Sequence, residues 1–280
     1  MKKFLIGIGL LLGLGSCTPG VAPPIGTEIA GTEYTHGKVV WYDLASPNPE
    51  LSASFYSTVF GWKVIPYGEG SKMVWVFQNE GKPIGLMANY KSKNNTGEWI
   101  GSISVDDVTT TTEMAKSMGA KVLRNPVAVE NLGSVSFIED AQGAHISFIK
   151  MAKGDPVAGL ATINSFLGLE LWSNDPFDSK AFYSGIVGFS AEPLPSVSPN
   201  YQMMKKDGRN CIGLLPNPAQ GIRSHFIPYV RVADVKATIE KARNAGAQIL
   251  IEPSSEIRGG TAGLFLDPTG APVAVQVYNP

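Results

Sequence analysis

The chain has 280 residues, 44% hydrophobic and 17% charged, with a formal net charge of −1. That length allows one or two ordinary domains, and the charge balance excludes the positive surface a nucleic-acid binder needs. With 31 glycines and 20 prolines, the composition suits short strands and frequent turns.

In chain order, Lys2 and Lys3 precede an apolar run from Phe4 to Leu14. This is the layout of a secretory signal, and the run is too short for a membrane span. Leu14-Gly15-Ser16-Cys17 follows and resembles the bacterial lipobox, where cleavage leaves a cysteine carrying a thioether-linked lipid. The alternative is an ordinary signal with an incidental cysteine. Lipidation at Cys17 is expected, because the cysteine sits where the motif needs it and the only other cysteine is Cys211. Residues 1–16 are then signal, and 17–37, rich in Pro, Gly and Thr, a tether. The implied location is the bacterial cell envelope, anchored to a membrane and facing the periplasm or exterior. Cys211 lies in an apolar stretch, without a partner for a disulfide, and is expected to be a small buried hydrophobe.

A strand is predicted over Val39–Leu44. Asn48-Pro49 offers a helix cap and a first-turn proline; Leu51, Phe55 and Val59 recur at helical spacing, and Gly61 ends the helix. Strands near Trp62–Tyr67, Met73–Gln78 and Pro83–Asn89 complete a βαβββ unit. The unit restarts with a strand over Trp99–Val105 and a helix from Asp107 to Gly119. Strands near Lys121–Arg124, Ser134–Ile138 and His145–Ile149 follow.

The pattern then returns. FYSTVFGW at Phe55 is echoed by FYSGIVGF at Phe182, 127 residues on, and the same offset relates Asp43 to Glu170, Asp107 to Asp234 and Asp140 to Asp267. Two copies of one unit are implied. The fold expectation is α+β: a first domain over 38–151, a linker over 152–164 and a second domain over 165–280. Each holds two βαβββ modules forming a curved, partly open barrel with helices outside.

Strand parity separates two faces. In the second copy, Leu169, Leu171, Phe226, Val230, Val273 and Val275 fall on the helix side. Glu170, Trp172, His225, Tyr229, Arg231 and Gln276 fall on the concave side. Polar groups mixed with aromatics on a concave surface describe a small-molecule pocket. The first copy offers Trp41, Asp43, Ser102, Ser104, His145 and Ser147 on the equivalent face.

Trp41-Tyr42-Asp43-Leu44, Phe55-Tyr56, Phe60-Gly61-Trp62, Val105-Asp106-Asp107-Val108 and Asp140-Ala141-Gln142-Gly143, with their echoes in the second copy, resemble the vicinal oxygen chelate superfamily. This is also called the glyoxalase/bleomycin-resistance/dioxygenase superfamily. The tandem arrangement is similar to its hydroxylase- or glyoxalase-like subgroup. The resemblance implies tandem βαβββ modules and, in the superfamily's enzymes, a divalent metal acting as Lewis acid. Its usual ligand positions would fall here on Trp41 and Gly168, about Ile100 and Ile227, and Ser147 and Ala274. None is a usual ligand, so no cofactor is expected; a divalent metal is the alternative.

His145 is open to two readings, a pocket group or a hydrogen-bonded strand residue. His225 could pair with Glu170 as an acid–base couple or simply be a polar residue at the mouth. Asp43 and Glu170 could recognise a ligand or brace neighbouring strands. Arg231 could hold an anion or neutralise Glu170. The leading expectation is a lipid-anchored protein that binds a small molecule in its concave faces, chiefly in the second copy, without the family metal. The alternatives are a metal-dependent lyase, isomerase or dioxygenase, and a structural lipoprotein with vestigial pockets.

Overall fold

Polar caps set the helix starts in the computed structural model, which describes residues 31–279 other than 71, 72, 93, 158, 160 and 220. The first copy runs β1 (Val39–Ser46), α1 (Pro49–Phe60), β2 (Lys63–Tyr67), β3 (Val74–Asn79) and β4 (Lys82–Asn89). Its second module is β5 (Glu98–Ser104), α2 (Val108–Ser117), β6 (Lys121–Val129), β7 (Gly133–Glu139) and β8 (His145–Met151). The second copy repeats this with β9 (Phe166–Ser173), α3 (Pro176–Val187), β10 (Ser190–Pro193), β11 (Gln202–Lys206) and β12 (Arg209–Pro216). It ends with β13 (His225–Arg231), α4 (Val235–Asn244), β14 (Gln248–Ile251), β15 (Ala262–Leu266) and β16 (Pro272–Gln276).

Asn48, Asp107, Asp175 and Asp234 each accept a hydrogen bond from a first-turn amide of the helix they precede. Gly61 and Gly188 close α1 and α3 at φ 73° and 78°, a conformation glycine adopts without strain. Within α1 the buried stripe differs from expectation. Ser52, Phe55, Tyr56, Val59 and Phe60 are buried, while Leu51 is 41% exposed. The aromatic Phe55-Tyr56 pair turns the helix toward the core and leaves Leu51 at the edge. β6 is longer than expected: Pro126 lies inside it, tolerated because β6 is an edge strand with register shifts.

Each copy is one mixed sheet of eight strands, ordered β2-β3-β4-β1-β5-β8-β7-β6 and β10-β11-β12-β9-β13-β16-β15-β14. β1 is parallel to β4 and antiparallel to β5, so the two modules of a copy join at β1–β5, and at β9–β13 in the second. Among the described residues no ladder joins the outer strands β2 and β6, or β10 and β14. Each sheet is therefore open rather than closed into a barrel.

The helix-side faces of the two copies bury one another. A single apolar cluster takes Tyr42, Phe55, Tyr56 and Trp99 from the first copy and Leu169, Leu171, Tyr183 and Phe265 from the second. Tyr42 stacks on Phe166 with centroids 3.9 Å apart. The echoed tyrosines cross between copies. Tyr56 donates to Asp267 Oδ2 at 2.9 Å, and Tyr183 donates to Asp140 Oδ2 at 2.9 Å. Gln142 reinforces the seam, donating to Asp175 O and accepting from the Asp175 amide. The copies thus pair within one chain, leaving both concave faces turned outward.

Residues 31–37 lie against the first copy rather than apart from it. Gly31 donates to Asp155 O, Tyr34 to Met151 O and Gly37 to Ser104 O. His36 is partly buried, with Nδ1 3.3 Å from Ser104 Oγ. The signal and Cys17 lie outside the described residues.

Candidate functional site

The concave face of the second copy is built around Glu170, whose position on β9 faces Gly213 of β12 and Ile227 of β13. Tyr201 donates to Glu170 Oε1 at 2.9 Å, and Arg258 forms an ion pair with the same oxygen. Gly213 makes this possible, because a Cβ there would collide with the Tyr201 hydroxyl and the Glu170 side chain. Arg258 also donates to Gln276 Oε1 at 3.1 Å. Its guanidinium lies 4.9 Å from the Tyr229 ring centroid and 5.4 Å from that of Tyr201. Burial, then the Glu170 charge, push the Tyr201 and Tyr229 hydroxyls well above the ordinary phenol range, so both stay protonated.

Among the described residues two buried polar atoms on this face make no hydrogen bond, Glu170 Oε2 and Trp172 Nε1, although the Tyr229 hydroxyl lies close to the Glu170 carboxylate. Their residues are only 4% and 8% exposed. They alternate with Leu171 on β9, so both side chains leave the same face of the strand. Trp172 packs with Ile227, Tyr229, Leu264 and Ala274. Above Gly168, one step along the same face, a Cβ would meet nothing within 4 Å.

His225 sits beside Trp172, with ring centroids 5.7 Å apart, and its Nδ1 donates to Arg223 O at 3.0 Å. Burial depresses its pKa, which favours the neutral ring with a lone pair on Nε2. No hydrogen bond links it to Glu170 among the described residues; Arg258 and Tyr201 hold that carboxylate. Arg231 is engaged elsewhere, donating to Tyr278 O at 3.1 Å and Ala161 O at 2.7 Å.

The first copy closes the same face. Trp41 Nε1 donates to Asp43 Oδ1 at 3.0 Å. Trp41 packs with Val76, Leu86, Val135 and Ile149. Burial, opposed by the Trp41 hydrogen bond and the charge of Arg124, pushes the Asp43 carboxyl up to about 7. Ser147 turns its hydroxyl onto Ser136 O. His145 lies at the boundary between copies. Its Nδ1 is 2.8 Å from Glu98 Oε2 and its Nε2 3.3 Å from Glu139 Oε2, while Arg223 of the second copy pairs with Glu98. Burial raises the Glu98 pKa, but His145 and Arg223 outweigh it and hold the carboxyl below its usual range.

The donor set does not fit a family-type metal. Strand register places Ser102 and Ser147 in line with Trp41, and Tyr229 and Ala274 in line with Gly168. Ser102 and Tyr229, rather than Ile100 and Ile227, are therefore the fifth-strand neighbours. Neither row gathers three N, O or S ligands of the usual kinds. Among the described residues no three His, Cys, Asp or Glu side chains converge as a metal group.

Arg258 and Tyr201 beside Glu170, and Arg124 near Asp43, were not singled out by parity. Arg258 holds φ 49°, uncommon for a long side chain. The Arg258-Gly259-Gly260 string was the available signal, since tight glycine turns can aim a neighbouring side chain inward. A separate surface cleft of about 540 Å³ runs along Asn174, Pro216, Asn217 and Ile222. Its amides bond each other and backbone carbonyls, and it lies beside the strand ends rather than on the concave face.

CFP32 of Mycobacterium tuberculosis, named as a candidate glyoxylase, is 26% identical over 246 residues, covering 86% of this chain and 94% of that protein. The anthracycline biosynthesis protein DauV of Streptomyces sp. strain C5 is 25% identical over 262 residues, covering 87% and 94%. The Mn(II)-bound glyoxalase from Novosphingobium aromaticivorans shares the fold at TM-score 0.60 and 15% identity, over 87% of this chain and 83% of that one. A homoprotocatechuate 2,3-dioxygenase variant from B. fuscum does so at TM-score 0.62 and 13% identity, over 91% and 75%. The model of one family matches residues 38–148 and again 162–275. The chain belongs to the Glyoxalase/Bleomycin resistance protein/Dioxygenase superfamily.

Proposed function

We propose that the protein binds a small organic molecule on the concave face of its second copy, without a metal of the family type. The observation that carries this is the pair of buried, unpartnered atoms on β9, Glu170 Oε2 and Trp172 Nε1. Leaving a buried donor or acceptor unmet costs about 1–3 kcal/mol, and a bound ligand would remove that cost. Tyr229, His225 and Gln276 border the same face, and the space over Gly168 leaves room for the ligand. The relatives' names point to glyoxylase chemistry and to anthracycline biosynthesis. Neither name supplies the metal ligands that this chain lacks at the family positions.

The test is a fragment screen by thermal shift on wild type and on Gly168→Trp, which carries in the second copy the tryptophan of the first. Fragments bound on this face stabilise wild type and leave the variant unmoved. Equal stabilisation of both would place binding elsewhere. Elemental analysis of the purified protein runs alongside; a stoichiometric, tightly held divalent ion would overturn the metal-free reading.

We further propose that Cys17 carries a lipid and holds the protein at the envelope membrane. The support is the charged start, the apolar run and Leu14-Gly15-Ser16-Cys17. Fractionation of cells expressing Cys17→Ala should move the protein out of the membrane pellet; unchanged membrane retention would sink the anchor.

A further inference from the structure

We propose that the second-copy concavity selects a neutral, flat ring compound that donates a hydrogen bond to Glu170 Oε2 and accepts one from Trp172 Nε1, and that it rejects anions. This rests on the reading of that face as a ligand site and adds the chemistry of what fills it.

The cation at the site, Arg258, is committed: it pairs with Glu170, donates to Gln276 and presents its flat faces to Tyr201 and Tyr229. His225 is held neutral by burial. Arg223 is bound to Glu98, Gly143 O and Ser224 O, and Arg231 to Tyr278 O and Ala161 O. An anion entering this face would lose its water and meet no uncommitted positive group among these described residues, which is strongly unfavourable. A cation fares little better, because Arg258 already balances the charge of Glu170. A neutral N–H or O–H satisfies Glu170 Oε2 without bringing a charge.

Shape gives the rest. Trp172, Tyr229, Ile227, Leu264 and Ala274 form one buried apolar cluster on this face, and its two aromatic planes and short aliphatic groups suit a thin apolar body. Residues two apart on one strand face are separated by about 6.6 Å. The ligand's donor and acceptor therefore belong on different parts of the molecule, as at opposite ends of one ring, rather than on neighbouring atoms. That spacing differs from the adjacent oxygens needed to chelate a metal.

Three matched probes test this in mildly acidic buffer, with calorimetry and the indole N–H resonance of Trp172, assigned by its loss in Trp172→Phe. Para-hydroxyacetophenone carries a donor and an acceptor at opposite ends and should bind and shift the Trp172 signal. Para-methoxyacetophenone lacks the donor, and para-hydroxybenzoate replaces the ketone by a carboxylate. Each should bind about tenfold or more weakly, the scale set by leaving one buried group unmet. Glu170→Gln, of nearly the same shape, should reduce the preference for the hydroxyl over the methoxy probe. If the benzoate binds as well as the ketone, the neutral class is wrong while the pocket stands. If the three probes leave the Trp172 signal still, the ring class falls. The fragment screen on Gly168→Trp then judges the pocket separately.

Discussion

The two concave faces share one backbone plan and treat it in opposite ways. At the position where the first copy places Trp41, the second has Gly168; where the first has Leu86, the second has Gly213. Trp41 and Leu86 are 1% and 4% exposed and plug the first face. Gly213 yields its space to the Tyr201–Glu170 contact, and Gly168 keeps its own. The same pair of chemical groups, an indole N–H and a carboxylate, is closed on itself in the first copy as Trp41–Asp43. In the second, Trp172 and Glu170 each keep an unmet atom. The turn after the sixth strand shows the same contrast. Asn131 sits at φ 61° in the first copy and Arg258 at φ 49° in the second. Asn tolerates that conformation, whereas for Arg it costs on the order of 1–3 kcal/mol. One face is thus packed as a core and the other carries the strain and unmet polarity expected of a site.

The largest effect should come from unplugging the first copy. Trp41→Ala removes a fully buried indole and the hydrogen bond to Asp43, and should cost about 3–5 kcal/mol. Urea unfolding measures it; a loss under about 1 kcal/mol would mean that Trp41 is not a packed plug. The seam between copies should respond less. Tyr183→Phe leaves Asp140 Oδ2 without its phenol, at about 1–3 kcal/mol. Tyr56→Phe should cost more, because the Tyr56 oxygen also accepts from Trp99 Nε1 at 2.7 Å. Equal losses for the two variants would show that the Trp99 contact contributes nothing.

Local chemistry made the fold legible. Caps such as Asn48 and Asp107 act within a few residues, and the alternation along β9 separates Leu169 and Leu171 from Glu170 and Trp172 without tertiary information. The duplicated tyrosines and aspartates were visible as fold-making positions. Their crossing from one copy to the other was not, because Tyr56 and Asp267 are 211 residues apart and meet only once the sheets pack. The candidate site was half legible for the same reason. Glu170, Trp172, Tyr229 and Gln276 follow from strand parity, whereas Arg258 reaches Glu170 from an irregular turn 88 residues away. Arg231 obeys parity but lies at the strand end, where nearby carbonyls capture it. His145 likewise lies where the copies meet, and Glu98 and Arg223 take it into an ion-pair cluster.

The effect with the most distinctive signature, a dependence on pH, concerns the acid of the plugged face. Burial pushes the Asp43 carboxyl from an ordinary 3.8 up to about 7, although the Trp41 hydrogen bond and the Arg124 charge pull it down. The folded state then holds a proton that the unfolded chain has released. Stability from this group is fully present below the unfolded value and is lost as pH rises through about 7. Within that window the slope approaches about 1.4 kcal/mol per pH unit. Asp140 and Asp267, also raised chiefly by burial, contribute with the same sign, so replacing Asp43 flattens the profile only in part. Asp43→Asn keeps an oxygen for the Trp41 N–H and cannot titrate. Its unfolding free energy should therefore fall less than that of wild type across the window. Parallel profiles would mean that Arg124 keeps Asp43 ionised, and the plugged face would then hold a buried ion pair like the Glu170–Arg258 pair of the open one.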